Sequence, residues 1–179
     1  MMDLINKFEK MLLGWAKNVP HLPVAARTWL GVNVWWIVLI AAIISGIAFL
    51  STLSNLLTYV SLMGAASSAY YINASYTSLA VMNTSITLVF IAATAALLGF
   101  AVTPLKERLK KGWVLLFFTL LVSALSIVVQ AVTSFSVGSF IVQILFGAIF
   151  LAIGAYFITE IHSQFAHPAK PARKTQKKA

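Results

Sequence analysis

The side chains able to do chemistry in this 179-residue chain are few, and they lie near its edges. Glu160 and His162 stand two residues apart, and His21 sits between Pro20 and Pro23. A metal site needs three or four converging ligands, whereas side chains at i and i+2 of a helix point apart. Glu160 and His162 are therefore expected to mark the end of a helix rather than to bind an ion. There is no cysteine, hence no disulfide and no thiolate ligand. No Gly-rich phosphate loop, paired carboxylates or nucleophile–base set is visible. The sequence predicts no catalytic residue, no cofactor and no metal, and a protein that is not an enzyme; an enzyme acting on lipid ranks third among the readings.

Two amides are better placed. Gln130 and Gln143 are the only amide side chains between Gly112 and Thr159, a stretch with no charged residue. They are expected to hydrogen-bond between two neighbouring helices, a contact worth roughly 0.6–2 kcal/mol inside a membrane. The competing role is a polar lining for a solute path. Asn73-Ala-Ser and Asn83-Thr-Ser match the glycosylation pattern, which is common by chance, and Asn83 is expected to lie too close to an apolar span for modification.

The elements that must hold these residues follow from where charge is missing. From Thr28 to Leu105 there is no Asp, Glu, Lys, Arg or His, and Gly112 to Thr159 repeats the feature. A charge at the bilayer centre costs about 2.5–3.5 kcal/mol on insertion scales, so such runs suit hydrocarbon. The composition agrees: 60% hydrophobic, 9% charged, mean hydropathy +0.92. A chain this small has too little interior to bury that much apolar surface. The net charge of +9 falls in three islands, residues 1–27, 104–111 and 160–179. Basic islands beside apolar spans set orientation toward the cytoplasm and attract anionic lipid, so nucleic acid is not the expected partner.

Four spans keep every basic island on one side: about 29–50, 79–102, 113–132 and 137–158. Residues 51–78, rich in Ser, Thr, Asn and Tyr, then form an outer interfacial or re-entrant segment. A fifth span there would move later basic islands to the opposite side. Residues 1–27 form a cytoplasmic amphipathic helix and a Pro-containing linker. Leu4, Ile5, Phe8, Met11, Leu12 and Trp15 repeat with helical period opposite Lys7, Lys10 and Lys17, a pattern suited to lying on the membrane surface. Phe8, Trp15, Trp29, Trp35, Trp36 and Trp113 are the expected membrane-interface anchors, since aromatic rings gather at headgroup level. Residues 160–179 are expected to be a disordered basic tail.

Small residues recur at i, i+4, i+7: Ala41, Ser45, Ala48; Ala92, Ala96, Gly99; Thr119, Ser123, Ser126; and, again, Ala148, Ala152, Ala155. Stripes of this kind let helix backbones approach, so these are expected to face inward. A faint echo between the two hairpins, Trp35-Trp-Ile-Val against Trp113-Val-Leu-Leu, hints at duplication.

The expected fold is an all-α integral membrane protein: a four-helix transmembrane bundle of two antiparallel hairpins, with an N-terminal amphipathic surface helix. The expected location is the plasma membrane, with both termini cytoplasmic. The leading function is a non-enzymatic partner or scaffold subunit of a membrane assembly, or a homo-oligomer. A small oligomeric channel or facilitator for a neutral solute is the alternative. Membrane lipid, including anionic lipid at the inner leaflet, is an expected partner beside another protein or a second copy.

Overall fold

A computed structural model describes Met11, Gly14 and residues 20–66, 74–133 and 137–165. The described chain is helical, without strands: α1 (Val24–Ala66), α2 (Ala74–Lys106), α3 (Lys110–Thr133) and α4 (Val137–Phe165). All four are long and apolar enough to cross a membrane. The expected tail begins later than residue 160: Glu160 to Phe165 continue α4, with Glu160, Ile161 and Phe165 buried. The tail beyond Phe165, and the expected surface helix with Phe8 and Trp15 apart from Met11 and Gly14, lie outside the described residues.

Each helix packs antiparallel on its predecessor, and α4 returns to α1 through a smaller contact. The start of α1, the 107–109 turn and the end of α4 therefore share one end of the bundle. Arg27 and the charges of 106–111 gather there and make it the basic end.

Helix lengths differ more than the sequence suggested. At 1.5 Å per residue α1 is about 64 Å long and α2 about 50 Å, against about 36 Å for α3. Where a separate outer segment was expected over 51–78, α1 runs unbroken to Ala66 and α2 begins at Ala74. A re-entrant turn has no place within 51–66, because nothing there breaks the helix: neither Pro nor Gly interrupts it before Gly64. Asn83 of α2 lies level with Thr133 at the far end of α3, its Nδ2 donating to the Thr133 carbonyl at 3.3 Å. The nine residues from Asn83 back to Ala74 thus carry the α1–α2 hairpin about 13 Å beyond α3.

The core sits at the basic end. Val34, Val38, Leu98, Ala101, Leu105, Trp113, Leu116, Phe117, Ile158, Ile161 and Phe165 form one buried cluster drawn from all four helices. Large apolar side chains elsewhere face outward in a broad belt, from Ile37 to Leu50 on α1 and from Phe140 to Ile153 on α4. An apolar surface so extensive is not one that water tolerates.

The turn between α2 and α3 is a hydrogen-bonded helix stop. Arg108 N donates to Leu105 O at 3.0 Å and Leu109 N to Pro104 O at 2.8 Å, with Arg108 at φ 55°. That is the Schellman pattern, with Arg in the left-handed position where glycine is usual. Gly112 makes the return possible, since a Cβ there would stand 2.7 Å from the backbone N of Leu105. α4 lies close on α3 for a similar reason. A Cβ on Gly147 would come 2.6 Å from Ile127 Cγ2, and one on Gly154 2.9 Å from Leu120 Cδ1. The expected contact stripe, Ala148, Ala152 and Ala155, is offset by one position. Ala148 and Ala152 are exposed, and only Ala155 is buried.

Candidate functional site

Two features stand out: a polar clasp at the basic end, and a cavity higher in the bundle. The clasp is built on Glu160, whose side chain is 2% exposed. Its Oε1 lies 2.7 Å from His21 Nδ1, and its Oε2 accepts from the Leu22 N–H at 3.2 Å. Arg27 Nε stands 3.6 Å from Oε2 and donates to the Leu22 carbonyl at 3.0 Å. Pro20 and Pro23 keep this stretch out of the helix, so its free backbone N–H can face a carboxylate. Tyr156 Oη donates to the Pro20 carbonyl at 2.9 Å, adding a second tie from α4. A buried carboxylate is tolerated when paired and hydrogen-bonded, and here it meets a cation, an imidazole and an amide. The arrangement fastens the entry of α1 to the end of α4. It offers no open ligand position.

Glu160 and His162 were expected only to mark a helix end. The long-range pairing of Glu160 with His21 and Arg27 is new, while His162 lies edge-on to Trp113, ring centroids 4.7 Å apart. Trp113 itself differs from the expected interface anchor. It is 1% exposed, stacks on Phe117 and donates from Nε1 to the Ile158 carbonyl at 2.8 Å. Buried indole N–H groups need an acceptor, and α4 supplies one. Trp29 and Trp36 do face outward, at 60% and 51% exposure. Trp35 is half-buried, tilted against Trp36 with Lys106 Nζ 5.3 Å from its ring centroid.

The expected bond between Gln130 and Gln143 is not formed. Gln130 Nε2 donates instead to Ser126 Oγ one turn back, at 2.6 Å, and Gln143 Oε1 is buried without a partner among the described residues. Rotation about each helix decides which amides meet, and spacing along the chain does not fix it. Asn83 does bridge helices, joining α2 to α3, and its own Oδ1 is buried and unpaired among the described residues. Its position at a span end, with Thr133 at the matching end of the next helix, was the available signal.

The cavity measures about 280 Å³ and is lined by Ile44, Ser45, Ala48, Phe90, Ile91, Thr94, Ser123, Ser126 and Ile127. Parts of the small-residue stripes of α1 and α3 therefore face inward as expected. On α2, Ala96 and Gly99 point outward. α4 contributes no wall. Its ties to α1 through Glu160 and Tyr156, and the contact of Gln164 with Gly31, all lie at the basic end. Beyond them α4 rests on α3 through Gly147 and Gly154, and the cavity has helix on three sides. Among the described residues, the hydroxyls of Ser45, Thr94 and Ser123 form no hydrogen bond, whereas Thr87 and Thr119 bond carbonyls one turn back.

No protein-family model matches this chain, no curated protein is significantly similar to it, and no solved structure significantly matches its fold.

Proposed function

We propose that this is a non-enzymatic, multi-pass membrane protein that works by binding another transmembrane segment, as a partner or scaffold subunit or as a homo-oligomer. The reading takes the four helices as spans and the basic end as cytoplasmic, which puts both termini inside the cell at the plasma membrane. The observation that carries it is the three-walled cavity with its unbonded hydroxyls. In hydrocarbon no water satisfies a free hydroxyl, and a neighbouring helix with exposed carbonyls or small residues supplies both packing and acceptors. The lining is mainly apolar, from Ile44, Phe90, Ile91 and Ile127, as helix packing requires.

The cysteine-free chain allows a direct test. Ser45→Cys, treated with a short bifunctional thiol reagent carrying a second, photoreactive end, should give an adduct to a second copy or a co-purifying membrane protein. Leu50→Cys, at a 64% exposed site away from the cavity lining, should give much less. A strictly monomeric protein in lipid nanodiscs, with no co-purifying partner and no adduct from Ser45→Cys, would sink the proposal.

The hydroxyls also favour one second reading, a facilitator for a neutral solute formed by several copies. Replacing Gln130 and Gln143 together with Leu should then change solute flux into liposomes by several-fold. Unchanged flux with unchanged folding removes both amides from any such path.

A further inference from the structure

Where α2 hands over to α3, a groove of about 470 Å³ opens on the surface of the basic end. Its lining divides by chemistry. Phe100, Pro104, Leu109 and Leu115 form an apolar wall; Thr103, Glu107 and Lys111 supply its polar groups. Phe100 is 72% exposed and Leu109 46%, so the wall is open from outside. Neither the Lys111 ammonium nor the Glu107 carboxylate forms an ion pair or hydrogen bond among the described residues.

We propose that this groove binds one anionic phospholipid. It takes the headgroup phosphate at Lys111 and the Thr103 hydroxyl, and lays an acyl chain along Phe100 and Leu115. The assignment goes beyond the helix-binding role and rests only on the membrane reading that underlies it. Three observations support it. Lys106, Arg108, Lys110 and Lys111 against Glu107 leave this short turn at +3, so an anion is favoured despite the carboxylate. Glu107 and Lys111 lie nearer the bundle end than Phe100 on α2 and Leu115 on α3, matching the order of headgroup and tail in a leaflet. Arg108 also holds a left-handed conformation in which glycine is less strained, which keeps a further cation in the turn at a conformational cost.

The alternative occupant, a soluble phosphate compound, shares the headgroup chemistry but has no use for Phe100 and Leu115. Other exposed apolar faces, such as the far tip of α1 and α2, lack a comparable charged partner for any ligand.

Native mass spectrometry of the full chain, released from detergent and titrated with phosphatidylglycerol or phosphatidylcholine, tests the site. Phosphatidylglycerol should bind more tightly. One basic side chain near an anionic surface contributes about fivefold in affinity, so Lys111→Gln should lower phosphatidylglycerol binding by about that factor and leave phosphatidylcholine unchanged. Phe100→Ala should weaken both lipids. Lys177→Gln with Lys178→Gln removes twice the charge elsewhere in the chain and should leave the preference intact. Equal binding of the two lipids, or a loss with the Lys177/Lys178 pair matching that with Lys111→Gln, overturns the proposal. So does displacement of the lipid by excess glycerol phosphate. Failure of the membrane reading looks different: the chain would then stay dispersed in buffer without detergent, whatever its lipid preference.

Discussion

Trp113→Ala should be the most destabilising single substitution in the bundle, by about 3 kcal/mol on the scale of buried Trp truncations. On the proposed membrane reading the low end of that scale applies, because part of the usual transfer term vanishes if the unfolded chain also stays in lipid. What remains is the lost stacking on Phe117, the void left in the four-helix core, and an Ile158 carbonyl without its indole donor. Trp113→Phe keeps most of the ring volume and loses the hydrogen bond, so it should cost only about 1 kcal/mol. Unfolding in a series of sodium dodecyl sulfate mole fractions, followed by circular dichroism, gives the ranking. Trp29→Ala, at an exposed position, is the control and should shift the midpoint little. Equal shifts for Trp113 and Trp29 would show that the indole at 113 does not hold the core.

Glu160 should produce the second-largest effect, and a more local one. Glu160→Ala removes the acceptor for Leu22 N–H and the partner of His21 and Arg27. His21 is half exposed and Arg27 about a third exposed, so both can rehydrate once freed, and the loss of a buried carboxylate offsets part of the damage. A net cost of about 1–2 kcal/mol follows. The more telling readout is release of the segment entering α1. Tryptic cleavage after Arg27 should quicken several-fold in the Glu160→Ala protein, while Glu160→Gln, which still accepts from Leu22, should fall between. A double-mutant cycle with His21→Ala should give a coupling of at least about 0.5 kcal/mol, as expected for directly bonded side chains. Unaltered cleavage and additive effects would mean that α1 and α4 are held together by the apolar core alone.

The clasp and the cavity belong to one structural pattern. α1 and α4 are fastened at the basic end and separate beyond it, so the bundle is closed at one end and open along one side. Weakening the clasp should therefore widen the seam from which the proposed helix partner enters.

What the sequence determined by itself is the number of long apolar helices and the pairing of their ends. Charge is costly in hydrocarbon, so the runs Thr28 to Leu105 and Gly112 to Thr159 leave little choice beyond helices, and the basic turn at 106–111 divides them. Pro104 does not end α2 early; it lies inside the last turn, where its carbonyl caps the stop. The rotation of each helix was not legible. A helix that is apolar on every face carries no stripe to say which side is inward, and so Trp113 was assigned to the surface and Ala148 and Ala152 to the interior. The extra length of α1 was missed because Ser, Thr and Tyr between residues 51 and 63 read as an interface, although their hydroxyls can bond their own helix, as Thr58 and Ser61 do. Only the tertiary structure decided that Glu160 meets His21, 139 residues away, and that Gln130 turns to Ser126 while Gln143 Oε1 is buried without a partner among the described residues. Those contacts depend on helix rotation and on how two distant chain ends are brought together, and neither is encoded in local spacing.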